Sequence, residues 1–497
     1  MRDKPQKSGR ARRRRGWALA ALGFAVSILL LSPPPAAAGI SFQTERELGR
    51  KFDLEARRRL PLVGDPEIVG YVDKIGQKIV AALDDPLFQY HFSVVRDPAI
   101  NAFAVPGGYV YVNTGLLIRA ANDDEVAAVL GHEIGHVHAH HMARLQESTQ
   151  LLNYATLLGM LASIVQPAIA PLVVGANAAV SLKYTRQFEQ EADYLGVRYV
   201  KRAGYDPRAM LDFFRKLADQ TRTQPTFAPP YLQSHPLTDE RLNHLEAVLR
   251  TQQWAKHPRA PTGFELRRVQ VLARSETEPP TDLLASYRRA VEQSPADPMA
   301  RYLYGVACVE TGQLESGRDA LEAARKAGIE AASRELGEIA LRQRRAQEAR
   351  QLLAEYLKRQ PGDAGAHTDL AKTYEALGDN RAAMDAYRRA VQLAPDLEAA
   401  HYGLGILAGR SGNEADGFYH LATAARLGGH YEKALQQYAR AKPLLPAGDP
   451  RAEEVRDYID VLRDFTRLQP ASDERSRGDS DSKRRLGPAL PTRFSLP

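Results

Sequence analysis

Apolar residues follow four different patterns along this chain, and each predicts a different kind of element. Residues 16–32, "GWALAALGFAVSILLLS", are an apolar run behind a basic stretch. Residues 92–117, "FSVVRDPAINAFAVPGGYVYVNTGLL", carry short β-type runs broken at Pro106-Gly107-Gly108 and resumed at Tyr109–Val112, which predicts a small sheet. A helix should follow from Asn122, a natural N-cap with Glu125 in the capping-box place. Another, "SLKYTRQFEQEADYLGVRYVKRAG", should stop at Gly204, with Asp206-Pro207 opening the next. Residues 148–182 hold no charged side chain, and Pro167, Pro171, Gly175 and Asn177 break them into pieces short for a membrane span. They read as buried helices; the alternative is an apolar plate in peripheral contact with a membrane or an unfolded substrate.

Beyond residue 280 the pattern becomes helical and periodic. "SYRRAVEQSP" (286–295) returns as "AYRRAVQLAP" (386–395), close to three units of 34 residues. Pro361 and Pro395 are 34 apart, as are Gly378 and Gly412. This register is that of tetratricopeptide repeats, with four or five repeats by 465. The fold class is therefore mainly α: an α-rich domain with a small β-sheet, then an α-solenoid. The expected division is a leader at 1–38, the α-rich domain at 39–255, a linker at 256–280, repeats at 281–465 and a disordered tail at 466–497.

Charge changes the picture only at the N-terminus. The chain has 497 residues and a formal net charge of +7. Arg2, Lys4, Lys7, Arg10 and Arg12–Arg15 against Asp3 account for all of it. The basic balance is thus a targeting feature and no nucleic-acid surface. A basic start, an apolar run and Ala36-x-Ala38 predict a secretory leader cut after Ala38, with the product in the periplasm. An uncleaved anchor is the competing reading. The single cysteine, Cys308, excludes an internal disulfide and should be a buried small apolar group.

The candidate chemistry lies in "GHEIGHVHAHH". His132 and His136 are i,i+4 on a helix, so both imidazoles can reach one ion, with Glu133 beside it to take a proton from water. Histidine and carboxylate ligands suit one Zn2+ per chain. Gly131 and Gly135 weaken the helix, which makes sense if another helix approaches closely. The metzincin continuation is missing, since Ala139 and Met142 stand in its places. A carboxylate from a later helix is required, and "EQEAD" offers Glu189 and Asp193 on one face. Glu189 would be the third ligand and Asp193 would orient a ligand; Glu191 points elsewhere. A solvated acidic face is the alternative. His138, His140 and His141 read as supporting or solvent-facing groups, and His235, in "FAPPYLQSHPLTDERL", reads on its own as a turn residue.

"NAFAVPGGYVYVNTGLL", "GHEIGHVHAHH" and "FEQEADYLG" together resemble the gluzincin group that contains the CAAX-protease and HtpX-type metallopeptidases. The leader and repeat array resemble its periplasmic, repeat-bearing branch, over nearly the whole chain after the leader. The resemblance implies that His132, His136 and Glu189 bind zinc and that Glu133 is the catalytic glutamate. It implies that Asp193 is the acid of an ExxxD motif, and that His235 can take the fourth zinc position and hold the enzyme latent. It further implies proteolysis of unfolded or misassembled outer-membrane proteins, with the repeats engaging the assembly machinery. An extended substrate should pair with the sheet edge around 103–112. The rival reading is a periplasmic adaptor or chaperone with a structural or latent zinc site.

Overall fold

The computed structural model describes residues 41–149, 186–223, 229–251 and 262–467. The leader, the uncharged stretch apart from residues 148–149, and the tail from 468 onward lie outside the described residues. Helix α1 (Phe42–Arg59) and α2 (Pro66–Val80) precede strands β1 (His91–Val95), β2 (Ala102–Val105) and β3 (Tyr109–Asn113). The sheet order is β1-β3-β2, with β1 parallel and β2 antiparallel to β3. Alternation then sorts the strands onto two cores. Val110 and Val112 join Phe92, Val94, Ala102 and Ala104 beneath α2, while Tyr109 and Tyr111 join Phe103, Val105 and the α1 residues Phe52 and Ala56. Because β3 is the middle strand, residues 109–112 are paired on both sides, and within 103–112 the open edge among the described residues is that of β2.

A short helix α3 (Thr114–Arg119) leads into α4 (Asp123–His138). Asn122 caps α4, accepting from the Glu125 backbone N–H at 3.0 Å, and Glu125 reaches back to the Ala121 N–H at 2.8 Å. The first bond satisfies a donor that a helix start leaves orphaned, as the Asn122 cap predicted, whereas the second ties down the residue before the cap and not Asn122 itself. After α5 (His141–Thr149) come α6 (Arg186–Arg202), α7 (Arg208–Thr223), the single turn α8 (Pro230–Ser234) and α9 (Asp239–Thr251). Gly204 ends α6 with φ of 81°, a left-handed backbone that favours glycine.

The stretch read as a linker contains a helix, α10 (Phe264–Ser275). Its Leu266, Val269, Val271 and Leu272 are buried in the same core as α2 and α4. Gln270 donates to the Leu117 and Ala120 carbonyls at the end of α3. Its apolar spacing in "FELRRVQVLARS" is helical, so this segment is structural filling and no tether.

Helix α11 (Pro280–Gln293) opens the solenoid. Five antiparallel pairs follow: α12 (Pro298–Glu310) with α13 (Leu314–Lys326), α14 (Ala332–Arg342) with α15 (Ala346–Arg359), and α16 (Ala364–Ala376) with α17 (Asn380–Leu393). The last two are α18 (Glu398–Arg410) with α19 (Glu414–Leu427), and α20 (Tyr431–Ala441) with α21 (Arg451–Arg467). Gly378 and Gly412 close α16 and α18 with φ of 80° and 86°, which explains the 34-residue glycine spacing. Arg344 fills the matching turn after α14 with φ of 60°. Cys308 is buried, as expected.

The repeats dock on the catalytic region through buried charge. Glu67 on α2 pairs with Arg268 on α10 and Arg334 on α14. Glu335 accepts from Arg268 Nε at 2.7 Å and from the Tyr302 hydroxyl at 3.1 Å. Helix α1 forms a second strut: Tyr111 donates to Asp53 at 3.0 Å on its sheet side, and Leu54 packs with Tyr431 and Phe465 of the last repeat.

Candidate metal centre

Two helices and the end of a single-turn third bring the site together. His132, Glu133 and His136 sit on α4, Glu189 and Asp193 on α6, and His235 caps the end of α8. All six are buried, each at 2 % exposure or less. The two helices can approach because α4 lacks side chains where they cross. A Cβ on Gly131 would lie 2.4 Å from Val200 Cγ2, and one on Gly135 would lie 3.0 Å from the Ala192 carbonyl oxygen. Both glycines therefore answer to packing, the role their positions suggested.

His132, His136, Glu189 and His235 each direct one ligand atom into a common space, all four within 4.8 Å of one another. His132 Nε2 lies 3.0 Å from His136 Nε2 and 3.3 Å from His235 Nδ1. Glu189 lies 3.0 Å from His235 Nδ1, 3.5 Å from His136 Nε2 and 3.6 Å from His132 Nε2. A tetrahedron with bonds of about 2.0–2.1 Å has edges of roughly 3.3–3.4 Å. The three nitrogens and one carboxylate thus have the donor chemistry and the spacing of a four-coordinate zinc site. His138, His140 and His141 contribute no atom to it.

Behind these atoms stands a layer of buried charge. Asp193 Oδ1 is 2.9 Å from His132 Nδ1, which leaves His132 Nε2 directed at the common space. Arg241, in the first turn of α9, donates to both oxygens of Asp193 at 2.6 and 2.8 Å and lies 2.5 Å from Glu189. Burial pushes the Asp193 carboxyl up, but Arg241 and His132 outweigh it and hold it at about 2. Burial likewise raises Glu189, and His235 and Arg241 bring it well below the ordinary range. Glu133 responds in the opposite direction: burial raises it, and the nearby His235 and His132 only partly offset that. Its Oε1 has no hydrogen-bond partner among the described residues and lies 3.5 Å from His235 Nε2.

Asp193, one of the two candidate catalytic carboxylates, therefore touches His132 and Arg241 and not Glu133, a positioning place. Glu191, read from the sequence as pointing elsewhere in a structural place, lies off the ligand set, and its carboxylate meets His141 at 3.2 Å and Arg144 at 2.9 Å. Arg241 escaped the sequence reading altogether, although it belongs to the quoted "TDERL". His141 is fully buried, and burial lowers its imidazolium pKa to about 4.

Residues 67–249 match the sequence model of Peptidase family M48. Residues 284–332, 309–364 and 340–405 match tetratricopeptide-repeat models. A region similar to Peptidase family M48 is thus followed by a region similar to tetratricopeptide repeats. It is 36% identical over 236 residues to the beta-barrel assembly-enhancing protease of Yersinia pestis, covering 45% of this chain and 47% of that protein. The protein of that name from Escherichia coli K12 is 33% identical over 211 residues, covering 41% and 43%. The mitochondrial metalloendopeptidase OMA1 of Schizosaccharomyces pombe is 29% identical over 179 residues, covering 36% and 52%. The chain spans about half the length of these curated relatives, a narrower likeness than one over nearly the whole chain.

Proposed function

We propose that this chain is an exported, zinc-dependent metalloendopeptidase of the periplasm that cuts unfolded or misassembled outer-membrane proteins. The observation that carries the reading is Glu133: a buried carboxylate with an unpartnered oxygen, one residue from His132 and beside four converging ligand atoms. A site with only a structural task has no use for it. His132, His136 and Glu189 would hold the ion, which when bound supplies polarisation of the scissile carbonyl and of a water. Glu133 takes the proton of the attacking water and returns it to the leaving amine. Its burial raises its basicity, the direction that favours a proton acceptor. Asp193 and Arg241 keep His132 and Glu189 in place. An extended substrate strand would pair with the free edge of β2.

His235 is the regulatory element of this reading. Its Nδ1 faces the other ligand atoms and its Nε2 faces Glu133, so the ring fills the space a water would need. The resting enzyme is latched, and movement of the 229–238 loop opens it. The names of the bacterial relatives support barrel assembly as the setting, with the repeats meeting the assembly machinery. Part of that array is turned to its own catalytic region through Arg334 and Glu335, so a partner would use the remainder.

A closed set of four ligands also favours the adaptor reading, because structural zinc sites are closed. Zinc content and cleavage of an unfolded protein, compared for wild type and Glu133→Gln, separate the two. The peptidase reading expects equal zinc and a rate lower by about 10²–10⁴. Bound zinc with cleavage indifferent to Glu133, or with none in either protein even after His235→Ala, would favour the adaptor.

A further inference from the structure

The three histidines that follow His136 part company in the structure. His138 is half-exposed beside Tyr199. His140 adopts φ of 52°, with its Nδ1 2.9 Å from Glu45, and turns the chain sharply after α4. That turn folds α5 back, so that the buried His141 meets the far side of His136, Nδ1 to Nδ1 at 2.9 Å.

Such a contact admits one proton, and its position decides what His136 can do. His136 faces the other ligand atoms with Nε2. To bind a cation there, Nε2 must keep its lone pair, so Nδ1 carries the hydrogen and donates it. His141 Nδ1 is then the acceptor, and the His141 proton sits on Nε2. That nitrogen is 3.2 Å from Glu191, a carboxylate that can only accept. The opposite order would leave His136 presenting an N–H to the common space, unable to ligate. The His141 imidazole is also clamped in orientation: Phe188 stacks on it at 4.5 Å and 12°, and Arg144 lies both beside Glu191 and over the Phe188 ring.

We propose that His141, with its tautomer set by Glu191, is a positioning residue that selects the metal-binding tautomer of His136. The proposal rests on the zinc-site reading above. It gives the two histidine ligands unequal support. His132 meets its carboxylate, Asp193, directly, whereas His136 meets Glu191 through an intervening ring.

The test uses the full-length protein. In the zinc-loaded wild type, ¹⁵N spectra of the histidine rings should show His141 as the Nε2–H tautomer and His136 protonated at Nδ1. His141→Asn keeps an acceptor near the Nδ1 position and loses the ring; His141→Phe keeps a ring against Phe188 and loses the acceptor. Zinc affinity measured by chelator competition should fall roughly 10–100-fold in His141→Phe and only a few-fold in His141→Asn. A packing role predicts the reverse order. That reverse order, equal loss in both, no loss in either, or an Nδ1–H His141 would each overturn the proposal. Circular dichroism checks that both variants fold; should either fail, the wild-type tautomer decides alone. Wild type without zinc affinity would instead sink the zinc-site reading itself.

Discussion

Two clusters of buried charge hold this molecule together, and they differ in what they leave over. At the junction of catalytic region and repeats, Glu67, Glu335 and Asp363 meet Arg268 and Arg334, so each acid has a guanidinium from another helix. At the candidate metal centre Arg241 serves Asp193 and Glu189, yet three imidazoles, Glu189 and Glu133 still converge on one small space. Buried charge must be paired or bind metal. At the junction each of these acids meets a guanidinium although Glu335 Oε2 has no hydrogen-bond partner among the described residues, whereas at the centre four ligand atoms converge on one space. Pairing from within marks an architectural cluster, and converging acceptors mark a site for an outside cation.

The comparison predicts that damage to one cluster spares the other. Removing one member of a buried ion pair costs about 3–5 kcal/mol, because the remaining charges lose their partner. Arg268→Met should therefore lower the thermal midpoint markedly, while chelator competition finds zinc affinity near wild type. A large zinc defect in this variant would mean that the two clusters are coupled.

Glu189→Gln should act chiefly on the metal: Arg241 keeps Asp193 as its partner, so stability without zinc should fall less than in Arg268→Met, and zinc affinity should fall by more than the roughly 100-fold that loss of a supporting partner can reach. Glu191→Gln, acting only through His141 and half open to water, should lose less than about tenfold. Equal losses in the two would show that the wrong carboxylate has been assigned as ligand.

A smaller effect is expected where the helices cross. Gly135→Ala places a methyl against the Ala192 backbone, and overpacking of this kind costs about 1–3 kcal/mol. Separation of α4 from α6 should weaken zinc binding as well as stability, since the ligands are divided between them. An effect on stability alone would mean that the site tolerates the displacement.

The smallest and most specific expectation concerns His235. His235→Ala should raise basal cleavage of a loosely folded substrate several-fold, with zinc retained by His132, His136 and Glu189. Reduced cleavage would point to a role in stabilising the developing oxyanion, and no change to a turn residue before Pro236. Either result removes the latch.

Local spacing made much of this legible in advance. His132 and His136 share a helix face because a helix repeats every 3.6 residues, and the same rule joins Glu189 to Asp193. The Asn122 cap, the stop at Gly204 and the 34-residue register of Gly378 and Gly412 are local as well, so they were readable from residue order. Gly131 and Gly135 even announced a close helix neighbour, without saying which.

Arg241, His141, Glu191 and helix α10 are different. Arg241 matters because α9 carries it across 48 residues to Asp193. His141 matters because a left-handed turn at His140, tied to Glu45 of α1, folds it back onto His136. Helix α10 looked like a tether because its apolar face has no mate nearby in sequence; its mates are α2, α3 and the first repeats. Residue order alone determined which groups could bind a metal and which segments repeat, since both follow from periodicity within one element. Only the tertiary structure decided which charges neutralise one another and which remain directed at the common space, because that depends on contacts between elements distant along the chain.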